Sequence, residues 1–464
     1  MTGPAAALPV ESAAASTLVR RLGPIDAAAI VVSNVIGGGI FFVPVIVAGL
    51  VSTAGAMLAV WALGGLLAFA GAMAYAELAT LRPRAGGEYV YLRDAFGFGA
   101  AFLTGWTSFV AGFSGAVAAG ALALAGYLGR FIPAAADTTP LFTIPVPLVP
   151  VSVTPQMVVA ISAIASLSLV HLHGSGRIVH NILAGLKVSA LVVFIALGLS
   201  LGTGSVEHFS MTHVVASPAT GWVLALVPIM FTYSGWNAAA YVAEEIRDPG
   251  RNVPLALALG TLAVVAIYLL LNVLFFYAMP IGDLAALPNG RLTDTVAERL
   301  FGFVAGNILG AFTIVSIAAS ISAMVIAGPR VYFAMARDGV FLPLAARVHP
   351  RYHTPTLAIA AQAVWSSVLV LSGGTLSQLV DYTGFAVVLF AGVAVAALFV
   401  LRWREPDAPR PYKALGYPVA PGLFVAASAV MVVYEIWNNP VPSLAGLGVI
   451  AAGLPLYFFF RRKK

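Results

Sequence analysis

The chain has 464 residues, of which 60% are hydrophobic and only 9% are charged, and its mean hydropathy is +0.97. A water-soluble domain of this length could not bury so much apolar surface, so the composition excludes a soluble protein and predicts a polytopic membrane protein. The formal net charge is +6 and there is no cysteine, which excludes disulfides and thiolate metal sites.

Membrane-spanning helices need about 20 mostly apolar residues each. Twelve stretches satisfy this requirement, so we predict an all-α membrane protein with twelve transmembrane helices. The predicted segments, numbered 1 to 12 in chain order, are 26–50, 54–80, 96–129, 156–173, 178–202, 219–244, 254–279, 303–329, 356–372, 376–401, 417–437 and 443–460. No cleavable signal is recognisable in the Ala-rich start of the chain, and residues 1–22 are expected to form a disordered cytoplasmic N-terminus.

Basic residues collect on one side of the predicted membrane. Lys and Arg favour cytoplasmic loops, and nearly all of the 24 lie before segment 1, after an even-numbered segment or in the C-terminal tail. The exceptions are Arg130, Arg291 and Arg299, which fall outside, and Lys187, which falls within segment 5. Both termini are therefore predicted to be cytoplasmic, and the net charge requires no nucleic-acid partner.

Segment 1 contains three consecutive glycines, Gly37, Gly38 and Gly39. Each costs a helix interior roughly 1 kcal/mol relative to Ala, and irregular backbone survives in a membrane only where it is buried in protein or lines a cavity. A broken helix is therefore one interpretation, and close packing between helices is the other.

Segment 6 has a matching interruption, because its centre reads Phe-Thr-Tyr-Ser-Gly-Trp-Asn over residues 231–237. Paired interruptions in corresponding segments indicate the central site of a transporter built from inverted repeats. With five segments per repeat, we predict repeats over 23–202 and 203–401, followed by 402–464 with segments 11 and 12 and a basic tail.

Four stretches of the sequence, in the order expected for that family, resemble the amino acid–polyamine–organocation superfamily of transporters. Gly37–Phe41 is similar to its Gly-small-Gly-Ile-Phe signature, and segment 6 with its loop resembles the L-type amino acid transporters and their bacterial relatives. The other two are the loops 83–89 and 330–355, and the resemblance runs from about Gly23 to Pro418. It implies a LeuT-like fold, alternating access and a location in a bacterial cytoplasmic membrane.

A zwitterionic amino acid would find partners for both of its charges at these breaks. Helix N-termini favour a carboxylate, so we assign the carboxylate to the N–H groups of Gly37, Gly38 and Gly39. Helix C-terminal carbonyls favour the ammonium, which is assigned to those of Val35, Ile36, Phe231, Thr232 and Ser234, in line with the resemblance. Phe231 is also expected to act as an inner gate, and Asn237 to bond the ligand or segment 1.

Neither break contains an acidic residue, so nothing there would pair with a cationic side chain, and an unpaired buried charge is costly. Neutral amino acids are therefore predicted, and Thr232 and Ser234, at positions where some members of the resembling family carry smaller residues, favour substrates of small to medium size. A cationic amino acid or polyamine permease on the same fold is the alternative.

Lys187 lies ten residues beyond Arg177, or about 15 Å along a helix, which is close to mid-membrane. Snorkelling of the long side chain to the interface is the simpler interpretation, but intramembrane ionisable residues are functional candidates. The resemblance implies that this lysine takes the place of the sodium ion bound by coupled relatives. We therefore predict sodium-independent transport, with Lys187 as a candidate proton carrier.

Charged residues near the cytoplasmic face allow two interpretations: solvated loop charges, or a salt-bridge network that breaks when an inner gate opens. The gating candidates among them are Arg82, Glu244 and Glu245, and Tyr382 is a candidate for an outer gate.

The sequence leaves several transport and binding functions open and gives no sign of an enzyme. An exchanger and a proton symporter are both possible, as is an amino acid sensor without transport. No catalytic constellation points to an enzyme, and no metal site or cofactor is expected. Without cysteine, a disulfide-linked heavy chain is impossible, so we expect function without such a partner, as a monomer in the lipid bilayer.

Overall fold

The computed structural model describes residues 18–145, 151–215, 218–288, 292–372 and 376–461, without the side chains of 218–219, 303–304 and 376–383. Within these ranges the chain is mostly helical. The helices are α1 (Pro24–Val35), α2 (Val43–Ala48), α3 (Ala54–Leu81), α4 (Glu88–Phe96), α5 (Phe98–Thr107), α6 (Phe113–Leu128), α7 (Pro155–Leu172), α8 (Gly176–Leu201), α9 (Pro218–Tyr233), α10 (Ala238–Tyr241), α11 (Pro249–Ala278), α12 (Ile281–Ala285), α13 (Leu292–Phe301), α14 (Phe303–Arg337), α15 (Thr356–Leu371), α16 (Leu376–Arg404), α17 (Val419–Asn438) and α18 (Pro440–Arg461).

Local sequence explains where several of the long helices begin. The Thr53 hydroxyl accepts a hydrogen bond from the Ala56 N–H at 3.0 Å and so caps α3. Thr154 caps α7 in the same way, and Pro155 occupies the first helical position, where its missing N–H costs nothing. A five-residue π-helical stretch, Ser108–Gly112, joins α5 to α6 without interrupting the span.

Nine spans in the described part of the chain are long and apolar enough to cross a membrane. They coincide with predicted segments 2–5, 7, 8 and 10–12. Three shorter apolar helices, Pro24–Val35, Thr220–Tyr233 and Thr356–Leu371, coincide with segments 1, 6 and 9. Segments 1 and 6 give short helices because each is interrupted, as the glycine patterns predicted.

Two short strands lie in the loop that precedes α7. They are β1 (Phe142–Ile144) and β2 (Val151–Val153), which pair antiparallel with Phe142 opposite Val153. An all-α fold was predicted, so these strands are a difference from the sequence-based expectation.

Small residues bring the two interrupted segments against the same pair of long helices. A Cβ on Gly260 of α11 would lie 2.7 Å from the Val31 Cβ, so α1 packs directly on α11. A Cβ on Gly64 of α3 would lie 2.4 Å from the Ile229 Cγ2, so α9 packs directly on α3. Because α3 and α11 also pack on each other, this pair of helices brings the two interruptions close together.

The end of the predicted disordered N-terminus is part of the packed structure. Arg21 and Leu22 donate their backbone N–H groups to the Glu245 carbonyl at 3.0 and 2.9 Å, and Leu18 is buried. Residues 1–17 lie outside the described residues.

Candidate functional site

In the first interruption the backbone leaves the α-helical path between α1 and α2. The Gly37 N–H donates to the Val35 carbonyl at 2.8 Å, and a 3₁₀ turn over Gly39–Phe41 leads into α2. Among the described residues, no hydrogen bond involves the N–H of Gly38 or Gly39. A Cβ on Gly38 would have no neighbour within 4 Å, so this residue borders open space.

In the second interruption, α9 ends at Tyr233 and α10 begins at Ala238. Gly235 has a φ of +99°, which a side chain would strain, and a Cβ there would lie 2.5 Å from the Asn34 Nδ2. The Asn34 Nδ2 donates to the Gly235 carbonyl at 3.3 Å, so a side chain at the end of α1 holds the unwound backbone of segment 6.

The two interruptions touch each other. A Cβ on Gly39 would lie 3.0 Å from the Thr232 Oγ1 and 3.1 Å from its Cγ2. The Tyr268 hydroxyl, from α11, lies 3.0 Å from the Val35 carbonyl oxygen and 3.2 Å from the Thr232 carbonyl oxygen. One hydroxyl therefore meets the C-terminal ends of both α1 and α9, where helix dipoles concentrate negative charge.

A cavity of about 800 Å³ opens at this contact, within the range of about 300–1,000 Å³ that is usual for small-molecule sites. All but one of the predicted substrate-binding residues line it: Val35, Gly37, Gly38, Gly39, Phe231, Thr232, Ser234 and Asn237. Ile36 is the exception, because its side chain is fully buried and the residue does not border the cavity.

Lys187 of α8 accounts for the position of Ile36. Its ammonium donates to the Ile36 carbonyl, to the Ser33 carbonyl at 3.1 Å and to the Ser320 Oγ at 2.9 Å. Ser320 also donates to the Ile36 carbonyl at 2.9 Å, so two donors already occupy that oxygen. The Lys187 side chain is only 1% exposed, which makes snorkelling to the interface wrong for this structure.

Glu88, the first residue of α4, also lines the cavity, although it belongs to the stretch 83–89 that the sequence predicts as a loop. Its Oε1 accepts hydrogen bonds from the Tyr75 hydroxyl at 2.7 Å and from the Asn237 Nδ2 at 2.8 Å. Asn237 therefore binds Glu88 rather than segment 1, and Asn34 makes the link between the two interruptions.

Comparison with known sequences identifies the family of this chain. The profile of amino acid permeases matches residues 22–460. The chain belongs to this family. This permease is 31% identical over 454 residues to the human large neutral amino acids transporter small subunit 2, which covers 95% of the chain and 80% of the relative.

Two other relatives carry different names. The mouse Asc-type amino acid transporter 1 is 28% identical, covering 96% of this chain and 82% of the relative. The human b(0,+)-type amino acid transporter 1 is 30% identical, covering 96% and 88%. The predicted membership of the amino acid–polyamine–organocation superfamily is confirmed, and this permease is a multi-pass membrane transporter rather than an enzyme.

The predicted gating carboxylates are buried and paired instead of solvated. Glu245 pairs with Arg330 of α14, with an Oε1–Nε distance of 2.8 Å and side chains only 2% and 5% exposed. Glu244 pairs with Arg337 at 2.9 Å and accepts the Ala85 N–H. The pair between Glu245 and Arg330 and the pair between Glu244 and Arg337 tie the end of segment 6 to α14.

The two remaining gating candidates have different outcomes. Arg82 pairs with Asp94 at 2.8 Å and with Glu405 at 2.7 Å, which links the end of α3 to α4 and to the end of α16. Tyr382 belongs to α16, but its side chain lies outside the described residues. Phe231 packs against α16 near the cavity, since a Cβ on Gly384 would lie 3.0 Å from its ring.

Four residues of the site were missed from the sequence: Asn34, Glu88, Tyr268 and Ser320. Asn34 and Ser320 are polar residues inside apolar segments and could have been selected on that ground. Tyr268 and Glu88 gave no such signal, because aromatic residues are common in spans and Glu88 follows a loop.

Proposed function

We propose that this permease is a sodium-independent secondary transporter of neutral, small to medium amino acids that works by alternating access. The observation that carries the proposal is the contact between two helix interruptions at one cavity. Gly38 and Gly39 offer N–H groups there that are free of hydrogen bonds among the described residues. The C-terminal end of α9, beside the end of α1, offers carbonyl oxygens.

The zwitterion clamp is narrower than the sequence suggested. The Gly37 N–H is engaged with Val35, so the carboxylate is assigned to Gly38 and Gly39. The Ile36 carbonyl is occupied by Lys187 and Ser320, and the Val35 carbonyl by the Gly37 N–H and the Tyr268 hydroxyl, so the ammonium is assigned to the carbonyls of segment 6. Phe231 would then close over the bound substrate from the α16 side.

Lys187 supports independence from sodium. Hard cations such as sodium are bound by backbone carbonyl and hydroxyl oxygens. The Lys187 ammonium takes two backbone carbonyls at the end of α1 and the Ser320 hydroxyl of α14, and so places a positive charge where an ion would bind. Protonation and deprotonation of this amine would make it the coupling group.

The wider architecture is part of the same proposal. We infer twelve membrane crossings, an inverted repeat of five plus five segments over 23–202 and 203–401, and cytoplasmic termini in a bacterial inner membrane. The three short apolar helices at segments 1, 6 and 9 complete the twelve. The absence of cysteine makes a disulfide-linked partner impossible, and we expect the single chain to function as a monomer.

One observation favours a second candidate function. The prediction of neutral substrates assumed that no carboxylate reaches the site, but Glu88 borders the cavity. An amino acid with a cationic side chain is therefore a candidate substrate on the same fold.

Counterflow in proteoliposomes tests the proposed function. Proteoliposomes that contain the purified chain and are loaded with unlabelled leucine or alanine should take up the labelled amino acid equally in sodium and in choline medium. A strict sodium requirement would overturn the sodium-independent mechanism. Substrate binding without any flux would instead identify an amino acid sensor.

A pH gradient imposed on the same liposomes distinguishes exchange from symport. Accumulation driven by the gradient alone indicates a proton symporter, whereas uptake that needs internal amino acid indicates an exchanger. Unlabelled arginine serves as the competitor of labelled leucine or alanine, and strong competition by arginine alone would contradict the neutral assignment.

A further inference from the structure

A tight turn delivers Glu88 to the cytoplasmic end of the cavity. Gly86 and Gly87, which precede it, have φ values of +116° and +50°, a conformation that strongly favours glycine. A Cβ on Gly87 would lie 2.5 Å from the Tyr241 ring, so the turn packs directly on α10. As a result the carboxyl is 7% exposed and borders the cavity.

Neutral groups surround this carboxyl. Tyr75 of α3 and Asn237 donate to its Oε1, and the Tyr241 hydroxyl of α10 is also within hydrogen-bonding reach. Tyr91, on the same helix, is the other titratable group that interacts with it. No Lys, Arg or His is present among the described residues that line the cavity.

Glu77 shows how the same fold treats a structural carboxylate. Its side chain is fully buried, and it pairs with Arg402 at 2.6 Å and with Arg410 at 3.1 Å. Glu88 has no such ion pair among the described residues, and leaving a buried carboxylate without a cation is costly. Among the described residues Glu88 therefore lacks a cationic partner, and it borders the cavity, from which a cation could reach it.

We propose that Glu88 is a specificity-determining residue whose carboxyl exchanges its proton for the cationic side chain of an amino acid such as lysine. The inference rests on the proposed transport of amino acids through this cavity. With the cavity empty or holding a neutral amino acid, the carboxyl keeps its proton to a higher pH than a solvated glutamate does. When a cationic side chain enters, the proton passes to water and the carboxylate pairs with the substrate cation.

The direction of the pH dependence follows from the surroundings of α4, which lies outside the membrane-spanning helices. Burial raises the pKa of Glu88 above its ordinary value, against the opposing hydrogen bonds from Tyr75, Tyr241 and Asn237. The protonated form therefore persists to a higher pH than for a solvated glutamate. Raising the pH should favour cationic over neutral substrates.

The test compares labelled lysine with labelled leucine in counterflow, using the full chain in proteoliposomes from about pH 5 to 8. For the wild type, the ratio of lysine to leucine uptake should rise with pH. Glu88→Gln keeps the shape of the side chain but cannot form an ion pair with a cation, and should lower this ratio at least about tenfold, which corresponds to about 1.4 kcal/mol. Glu88→Asp, which keeps the carboxyl, should restore part of the ratio.

Binding calorimetry gives a readout that a structural role would not change. Lysine binding at a pH where Glu88 is protonated should release a proton in the wild type, seen as a dependence of the heat on the buffer, and this release should disappear in Glu88→Gln. Leucine exchange without any lysine binding would overturn this inference and leave the proposed function intact. Loss of both activities in the wild type would instead contradict the proposed function.

Discussion

The interruptions in segments 1 and 6 differ in the groups that they leave free. At the first, Lys187 and Ser320 hold the carbonyls that end α1, and the N–H groups of Gly38 and Gly39 remain open. At the second, Gly235 adopts a positive φ and its carbonyl is held by Asn34 from the first. One interruption is therefore suited to an anion, and the other depends on the first for its shape.

This difference explains why a glycine run alone was ambiguous. Three glycines give backbone access, but the surrounding side chains decide which end of the broken helix is available. In segment 1 the side chains occupy the acceptors and leave the donors, so the polarity of the site is set by α8 and α14 as much as by the glycines.

The largest expected effect is that of Gly39→Val. The new Cβ would lie 3.0 Å from the Thr232 Oγ1, and its methyl groups would push the two interruptions apart. Overpacking of this kind costs about 1–3 kcal/mol, which corresponds to a loss of substrate affinity of up to about a hundredfold. Ligand-dependent thermal shifts on the purified protein measure the affinity.

Gly38→Ala is the matched control for Gly39→Val, because a Cβ at Gly38 has no neighbour within 4 Å. It should insert into the membrane normally and lose less affinity than Gly39→Val. Equal losses of affinity in the two variants would contradict the prediction that the contact between residue 39 and Thr232 causes the loss.

Lys187→Ala tests whether the end of α1 needs the Lys187 ammonium. The substitution leaves the carbonyls of Ser33 and Ile36 without their charged donor, and hydrogen bonds to charged groups contribute about 1.5–3 kcal/mol each. Counterflow should slow about tenfold or more and lose its dependence on pH. Lys413→Ala, in an exposed loop, is the control for the loss of a lysine. If Lys187→Ala keeps the wild-type rate and pH profile, Lys187 is not part of the coupling mechanism.

The smallest effect is expected for Gly235→Ala. An L-residue in the left-handed region costs about 1–2 kcal/mol, and the Asn34 side chain must move from a Cβ that would lie 2.5 Å away. The apparent melting temperature should fall and transport should slow a few-fold. Gly185→Ala, in α8 with no neighbour within 4 Å, is the control and should keep its melting temperature.

The sequence determined the membrane class, the positions of the apolar segments and the two interruptions. These are local properties, because hydrophobic length and glycine content act within one stretch of chain. Gly37–Gly39 and Ser234–Gly235 could be located for that reason. The family membership also followed from short stretches that can be read directly along the chain.

Tertiary structure decided which of these groups meet. Lys187 reaches the Ile36 carbonyl across 151 positions of sequence, and Asn34 reaches Gly235 across 201. Glu88 became part of the cavity only because the Gly86–Gly87 turn packs on α10. Such contacts depend on how helices pack, and neither hydrophobic periodicity nor residue spacing encodes them, so the sequence identified the broken helices but not the charges that surround the site.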